Sequence, residues 1–403
     1  MDEEQEDFVN EVNFQKFTAY GNNFVIVDEI HGTQLREDEK SRFACQATNV
    51  NFGVGADAVL FLQPCRNDVL AEINDLRGYW DKLPAFPQVD LMFRIFEPNG
   101  TESFSCGNGL MCLASFLSRQ YNIASTRILT QIPTRQPKVI TIGTNSQKNQ
   151  NWANMGPPIR IPQDIVHLSN MTSLDDDIDI INDITITFRA RDLHPFSDAT
   201  SLDLIGFLVY TGEPHLVIFP KSGFSINELK NVLFVSSHQA TLSNEPKERR
   251  IMFGSWLIHH IGMYLNARCM QIFPKGINVD FVDIPVDSNA LEYRCFERGI
   301  NKETLACGTG ALAASFVAQR LNLINAKQIT VWPHRSRWYE PEACILVDKN
   351  KDCWSLRGKP VKLLEGNFLL EKPLSERIAA VQAEDQNCQI QEENAYHLAS
   401  INF

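Results

Sequence analysis

An internal repeat constrains this chain more than any other feature. The segment FRIFEPNGTESFSCGNGLMCLASFL, beginning at Phe93, returns as YRCFERGINKETLACGTGALAASFV, beginning at Tyr293. With one residue inserted in the second copy, Arg94 meets Arg294, Phe96 meets Phe296, Glu97 meets Glu297, Glu102 meets Glu303, and Cys106-Gly107 meets Cys307-Gly308. A weaker echo links YGNNFVIV, from Tyr20, to TGEPHLVIF, from Thr211. A repeat this long and ordered predicts two related domains facing one another across a pseudo-twofold axis. The expected boundaries are 1–157, carrying Cys106 and completed by a strand returning near 360–371, and 158–359, carrying Cys307. Residues 372–403 form a charged, glutamine-rich extension.

Each copy has the same local grammar. An aromatic and β-branched strand (MFRIF, EYRCF) runs into a polar loop, then a C-G-x-G step, then an apolar helix (LMCLASFLSRQYN, ALAASFVAQRLN). Each cysteine therefore falls at a helix N-terminus. NFVIVDE, ADAVLFLQ, HLVIFP, VDFVDI and ACILVD read as further strands, which makes the fold class mixed α/β. Stretches near 64–90, around DDDIDIINDI, and near 236–270 read as insertions.

Composition excludes several function classes. At 403 residues and 44% hydrophobic, the chain can bury two ordinary cores. Its net charge is −12, and no basic run is interleaved with aromatics, which argues against a nucleic-acid partner. The start, MDEEQEDF, lacks the order of a signal peptide, and no apolar stretch reaches the length needed to span a bilayer, so a cytoplasmic protein without membrane partners is expected. Ten cysteines are scattered with no C-x-x-C pair, which fits reduced thiols and gives no support to a metal site. Cys112, Cys295 and Cys344 sit among apolar neighbours and read as small buried hydrophobes.

Two mirrored cysteines at helix ends suit one difficult reaction. The hydrogen on an amino acid's α-carbon is a very weak acid, and its removal leaves a carbanion whose charge must spread into the carboxylate. Two helix N-termini, with free N–H groups and positive dipole ends, can hold that carboxylate. Glycine after each cysteine allows close approach. The same dipole is expected to lower the thiol pKa, so that one thiolate acts as base while the opposite thiol acts as acid.

SCGNG and ACGTG, with AYGNNF, NFGVGAD, FRIFEPNG, GEPH, INVDF and FERG in the same order, resemble diaminopimelate epimerase and its superfamily over about residues 14 to 371. The resemblance implies two domains, each a curled mixed sheet around a central helix, with the active site between them. It implies inversion of an amino-acid α-carbon by two bases, without pyridoxal phosphate or any other cofactor, and it leaves a homodimer open. Cys106 and Cys307 match the base and acid. The backbone of Gly107-Asn108 and Gly308-Thr309 matches the group that holds the reacting carboxylate. Asn22 and Asn278 match substrate-binding asparagines, and Glu297-Arg298 the pair that binds the non-reacting end. His215, with Glu297, matches residues that tune the thiols. Asn22 could instead be only a left-handed turn residue, and His215 only a hydrogen-bonded structural histidine.

Three positions depart from the pattern. Ala58 stands where the family has a glutamine, Glu97 where it has an asparagine, and Glu213 where GNPH would be usual. Two amides able to donate to a distal carboxylate are replaced by acids that cannot when ionised. The expected substrate is therefore an amino acid whose side chain ends in a cation, such as lysine, ornithine, arginine or histidine. Diaminopimelate itself is the alternative, and a lyase of the same superfamily or a non-catalytic binding protein stand further off.

Overall fold

The structure is a computed structural model that describes residues 9–167, 172–235, 247–285, 289–351 and 353–371. The expected terminal extension lies outside them. Two compact units appear. The large one, Gln15–Leu364, holds both repeats, and the described residues of the small one are Val9–Phe14 and Glu365–Glu371.

The first half of the chain runs β1 (Val9–Ala19), β2 (Asn22–Asp28), α1 (Glu39–Ala47), β3 (Ala58–Pro64), α2 (Asn67–Arg77), β4 (Leu91–Phe96), β5 (Glu102–Ser103), α3 (Gly107–Tyr121), β6 (Ser125–Thr130), β7 (Lys138–Asn145) and β8 (Gln150–Gly156). The second runs β9 (Thr172–Ser173), β10 (Asp179–Thr187), β11 (Ser201–Tyr210), β12 (Pro214–Ile218), α4 (Pro220–Gly223), α5 (Lys247–Arg268), β13 (Asn278–Asp283), β14 (Ala290–Glu297), β15 (Lys302–Thr304), α6 (Gly308–Arg320), β16 (Gln328–Pro333), β17 (Ile345–Asn350), β18 (Cys353–Gly358) and β19 (Val361–Glu371).

The repeat seen in the sequence is a repeat of strand pairing. β1–β2 are antiparallel, β2–β3 parallel, β3–β4 antiparallel, β4–β6 parallel, and β6–β7–β8 antiparallel. The series β11–β12, β12–β13, β13–β14, β14–β16 and β16–β17–β18 follows the same alternation. The last strand of each series, β8 and β18, pair with one another, Leu356 opposite Ala153. Each parallel β4–β6 or β14–β16 pair needs a crossover, and α3 and α6 supply it.

Both crossover helices are buried nearly all round. Leu110 through Leu117 of α3 and Ala311 through Ala318 of α6 are inaccessible, and they belong to one core cluster with strand residues of both halves. Each fully buried leucine of α3 contributes roughly 1.5–3 kcal/mol relative to exposure. A helix apolar on every face can only sit inside a curled sheet, which fixes where its N-terminus must point.

The repeated arginine and glutamate pairs clamp the loops that lead into those helices. Arg94, fully buried on β4, holds Glu102 of β5 at 2.5 Å and Glu37 at 2.6 Å. Arg294 on β14 holds Glu303 of β15 at 2.6 Å. Glu102 and Glu303 lie four residues before the two cysteines, so each ion pair sets the path of a cysteine loop.

The stretches read as insertions carry regular structure. Residues 64–90 contain α2, whose Leu70 and Ile73 cover Met92 and Leu129 with Trp80. The acidic run forms β10, an added strand on β11. Residues 247–268 form α5, which buries Leu257, Ile258, Ile261 and Leu265 in a second core cluster. No helix among the described residues is long and apolar enough to cross a membrane.

Candidate active site

The N-termini of α3 and α6 abut. A Cβ placed on Gly308 would lie 3.1 Å from the Asn108 nitrogen, 3.1 Å from Asn108 Oδ1 and 3.1 Å from the Gly107 Cα. Only two glycines allow backbones this close. Asn108 Nδ2 donates to the Ala306 carbonyl at 3.0 Å, stitching the start of α3 to the loop before Cys307.

Cys106 and Cys307 are the N-caps of these helices, as the motif predicts. Each has extended backbone, and each sulfur accepts an N–H two residues into its helix, from Gly109 and Gly310, both at 3.4 Å. They line one cavity of about 640 Å³ together with Gly107, Asn108, Gly308 and Thr309. Asn22, Ala58, Glu97, Glu213, Asn278, Glu297 and Arg298 line it as well. Of the residues that the sequence assigns to the site, His215 alone lies outside the lining.

His215 is fully buried behind Thr309. Its Nδ1 is 2.7 Å from Asp280 Oδ2, its Nε2 is 3.0 Å from Thr309 Oγ1, and that hydroxyl is 3.3 Å from the Cys307 sulfur. A hydrogen-bonded chain thus runs from Asp280 to Cys307. Among the described residues no counterpart lies under Cys106. On the first-half strands, Phe24 occupies the place of His215, Leu60 that of Asp280, and Asn108 that of Thr309. Tyr293 adds to the difference, since its hydroxyl accepts the Cys307 N–H at 2.7 Å and donates to the Cys307 carbonyl at 2.8 Å. Its first-half equivalent is Phe93.

The thiols do not sit low, contrary to the expectation from the helix dipole alone. Burial pushes the Cys106 thiol well above its ordinary value, and the Gly109 N–H and helix end offset this only in part, with Glu297, Cys307 and Glu97 adding to the rise. At Cys307 a hydrogen bond from Cys295 pulls the thiol down, yet burial and the Glu297 charge leave it raised. Burial thus favours the neutral thiol at both cysteines, because losing water costs a sulfur anion more than one N–H returns.

Acidic groups crowd the far side. Glu97 is pushed up to about 7 by burial, against a hydrogen bond from Ser103 at 2.6 Å, with Glu213 and Asp57 repelling its charge. Glu297 is pushed up to about 8, again mainly by burial and with Glu97 and Asp57 adding, while Thr304 donates to it. Glu213 is bound by Arg298, whose Nε and Nη2 reach one oxygen at 3.1 and 2.5 Å. The Asn278 oxygen accepts the Arg298 N–H at 2.9 Å. Lys275, at the rim, is paired with Asp164 at 3.0 Å.

Sequence reading overlooked Asp57 and Asp280. Asp57 accepts Asn22 Nδ2 at 2.9 Å and the Asn23 N–H at 2.8 Å, so it positions an expected substrate-binding residue. The signal for Asp280 was present in INVDF, where a charge interrupts a strand buried throughout. Among the described residues, one trio could hold a metal: Cys295, Glu297 and Cys307, with ligand atoms within 4.8 Å of one another.

No family model matches the chain. Curated relatives do. It is 30% identical to diaminopimelate epimerase from Methanothrix thermoacetophila over 316 residues, covering 78% of this chain and 84% of the relative. Against the enzyme of that name from Bacillus subtilis it is 26% identical, covering 81% and 89%. Among solved structures, a hydroxyproline epimerase from Agrobacterium vitis with bound trans-4-hydroxy-L-proline matches 91% of this chain and 94% of its own at a TM-score of 0.54 and 14% identity. A probable proline racemase from Agrobacterium radiobacter matches 90% and 93% at 0.52 and 13% identity. At those identities the solved structures speak to the fold.

Proposed function

Because the chain belongs to the diaminopimelate epimerase family and is an isomerase of the racemase and epimerase class, we propose that it inverts the α-carbon of an amino acid whose side chain ends in a cation. Cys106 and Cys307 are the proton-transfer pair in this reading. The observation that carries the substrate is the set of carboxyl groups in the cavity lining. Asp57, Glu97, Glu213 and Glu297 line it, the arginine among the lining residues is already paired with Glu213, and an arriving cation would draw the raised Glu97 and Glu297 into their ionised form.

The reacting carboxylate docks against the first N–H groups of α3 and α6, where two helix dipoles converge on the charge that develops as the Cα proton leaves. Asn108 Oδ1, buried and without a partner among the described residues, is placed to accept from the α-ammonium. The arriving cation also answers the raised thiols. A positive charge beside a buried sulfur favours the thiolate, so deprotonation is coupled to substrate entry. Cys307 has an exit for its proton through Thr309 to His215, whose imidazolium Asp280 would stabilise. The thiolate then takes the Cα proton from one face, and the opposite thiol returns one to the other face. Backbone N–H groups and side chains of this chain suffice for every step of this reading.

A second reading, diaminopimelate itself, is favoured by the names of the relatives. One experiment separates the two. The protein is incubated in deuterated water with lysine, ornithine, arginine, histidine or diaminopimelate, and Cα deuterium is read by mass spectrometry. A specificity constant highest for one of the four basic amino acids is expected, and one well above them for diaminopimelate overturns the cation reading.

A further inference from the structure

Cys295 reads in the sequence as a small buried hydrophobe, and on β14 it is buried, 2% exposed. Its surroundings are not those of a hydrophobe. Cys295 and Glu297 are two residues apart on one strand and so face the same way. Both meet Cys307 at the start of α6, where the two sulfurs and a Glu297 oxygen lie within 4.8 Å of one another. The repeat supplies its own control. At the same three places the first half has Ile95, Glu97 and Cys106. Asp280 lies opposite Cys295 on the neighbouring strand, as Leu60 lies opposite Ile95. The second half therefore carries a thiol and a carboxylate where the first has two apolar side chains. Asp280 gives one oxygen to His215, and its other, Oδ1, is buried without a hydrogen-bond partner among the described residues.

We propose that Cys295, Glu297 and Cys307 form a zinc site through which that cation reversibly inhibits the enzyme. The donor set selects the metal, since two thiolates and a carboxylate suit zinc, whereas magnesium and calcium take oxygen ligands. Zinc holds sulfur at about 2.3 Å and carboxylate oxygen at about 2.0–2.2 Å in a tetrahedron, which sets two sulfurs about 3.8 Å apart. A ligand triangle with no side above 4.8 Å closes on such an ion with shifts of about 1 Å or less. The ligands are held by their own neighbours, Cys307 by the Gly310 N–H at 3.4 Å and Glu297 by the Thr304 hydroxyl. Cys307 and Glu297 line the cleft and Cys295 stands behind them, so the ion enters from the cleft and keeps its fourth position on that side for water. On binding, each thiol gives up its proton, as does Glu297 where it carries one. The protons pass to the buffer, and two Zn–S bonds and one Zn–O bond form with no change of oxidation state. The dication also brings positive charge to the neighbourhood of the unpartnered Asp280 oxygen. A Cys307 held by the metal can neither take nor return a Cα proton, so the inhibition, though not the binding, rests on the assignment of Cys307 to proton transfer.

The test uses the full chain, reduced and freed of metal and reductant, titrated with zinc chloride against a chromophoric chelator and then read by X-ray absorption at the zinc edge. The expected shell has two sulfurs at about 2.3 Å, with oxygen at about 2.0–2.2 Å completing it. Cys295→Ser removes one soft ligand, so zinc should bind about a hundredfold more weakly, the upper end of what losing a mere supporting contact costs, and one sulfur should remain. Cys106→Ser should keep the affinity and both sulfurs. Turnover, where a substrate is in hand, falls as the site fills and returns with a chelator, each protein normalised to its own metal-free rate. A wild-type shell with fewer than two sulfurs, or an affinity unmoved by Cys295→Ser, overturns the site. So does loss of a sulfur in Cys106→Ser, which would put the ion between Cys106 and Cys307. Full turnover by the zinc-filled wild type overturns the inhibition. The shell is read on the wild type and on Cys106→Ser with no substrate present, so the result is independent of which amino acid the enzyme prefers and of how Cys295→Ser folds.

Discussion

Replacing Glu213 with asparagine should turn the far end of the cleft from a cation site into an anion site. In the native chain Arg298 spends two N–H groups on one Glu213 oxygen, at 3.1 and 2.5 Å, with side chains only 17% and 11% exposed. A charge-assisted contact of this kind is worth roughly 1.5–3 kcal/mol, and tenfold in affinity corresponds to about 1.4 kcal/mol. Once the carboxylate is gone, the partly buried guanidinium needs another anion. A distal carboxylate on the substrate supplies one, whereas a distal ammonium is repelled by it. The specificity constant for diaminopimelate should rise by about tenfold to a hundredfold, and that for the preferred basic amino acid should fall by a similar factor. Glu213→Gln, which keeps the length of the side chain, should move both in the same directions. Cα deuterium uptake over a concentration series of each substrate gives the two constants. A ratio unchanged within about twofold would show that the Glu213–Arg298 pair does not face the substrate.

Cys106→Ala and Cys307→Ala should each abolish inversion with the fold intact by circular dichroism, and near-normal turnover in either would remove the pair from the chemistry. Gly308→Ala forces a methyl to 3.1 Å from backbone atoms of Gly107 and Asn108, so the helix ends must part. Its cost should be about 1–3 kcal/mol in a denaturant melt, with a larger loss of turnover, and a fully active variant would argue against a carboxylate held at the junction. Folding should also weaken with pH. Glu97 and Glu297 are raised to about 7 and about 8 in the native chain, so the folded state binds more protons than the unfolded one above the ordinary glutamate range near pH 4.3. The stability this brings is fully present below that range and is lost as pH rises through 7 to 8. Melting temperatures from pH 5 to 8.5 should fall less steeply in Glu97→Gln/Glu297→Gln than in the wild type, and parallel curves would refute the assignment.

Much of the architecture was legible because the repeat encodes pairing as well as composition. Arg94 and Arg294 recur because each clamps a glutamate before its cysteine, and the C-G-x-G step recurs because two helix ends must nearly touch. What stayed hidden depended on distance across the fold. No periodicity announces that Tyr293 grips the backbone of Cys307, or that Asp57 orients Asn22 from another strand. The thiol pKa values went the other way from expectation for the same reason. Sequence shows the helix end, but burial, which outweighs it here, comes from the walls that close around it. The stretches set aside as insertions carry regular structure that their charge masks, since within DDDIDIINDI the side chains of Ile178, Ile181 and Ile184 are buried.

The unequal beds beneath the two sulfurs bear on what the enzyme is free to vary. Mirror-image forms of a substrate with a single stereocentre have equal free energy, so the ratio of forward to reverse kcat/KM is fixed at unity whatever surrounds each thiol. The chain from Asp280 to Cys307 cannot favour one product. It can divide the same ratio differently between turnover and saturation, so that one enantiomer binds more tightly and reacts more slowly. The inequality would also appear in the isotope effect, with deuterium on the substrate slowing one direction more than the other. A duplicated scaffold held to a symmetric outcome could thus diverge in its two halves without penalty, provided that each change on one face was felt equally by both directions of the reaction.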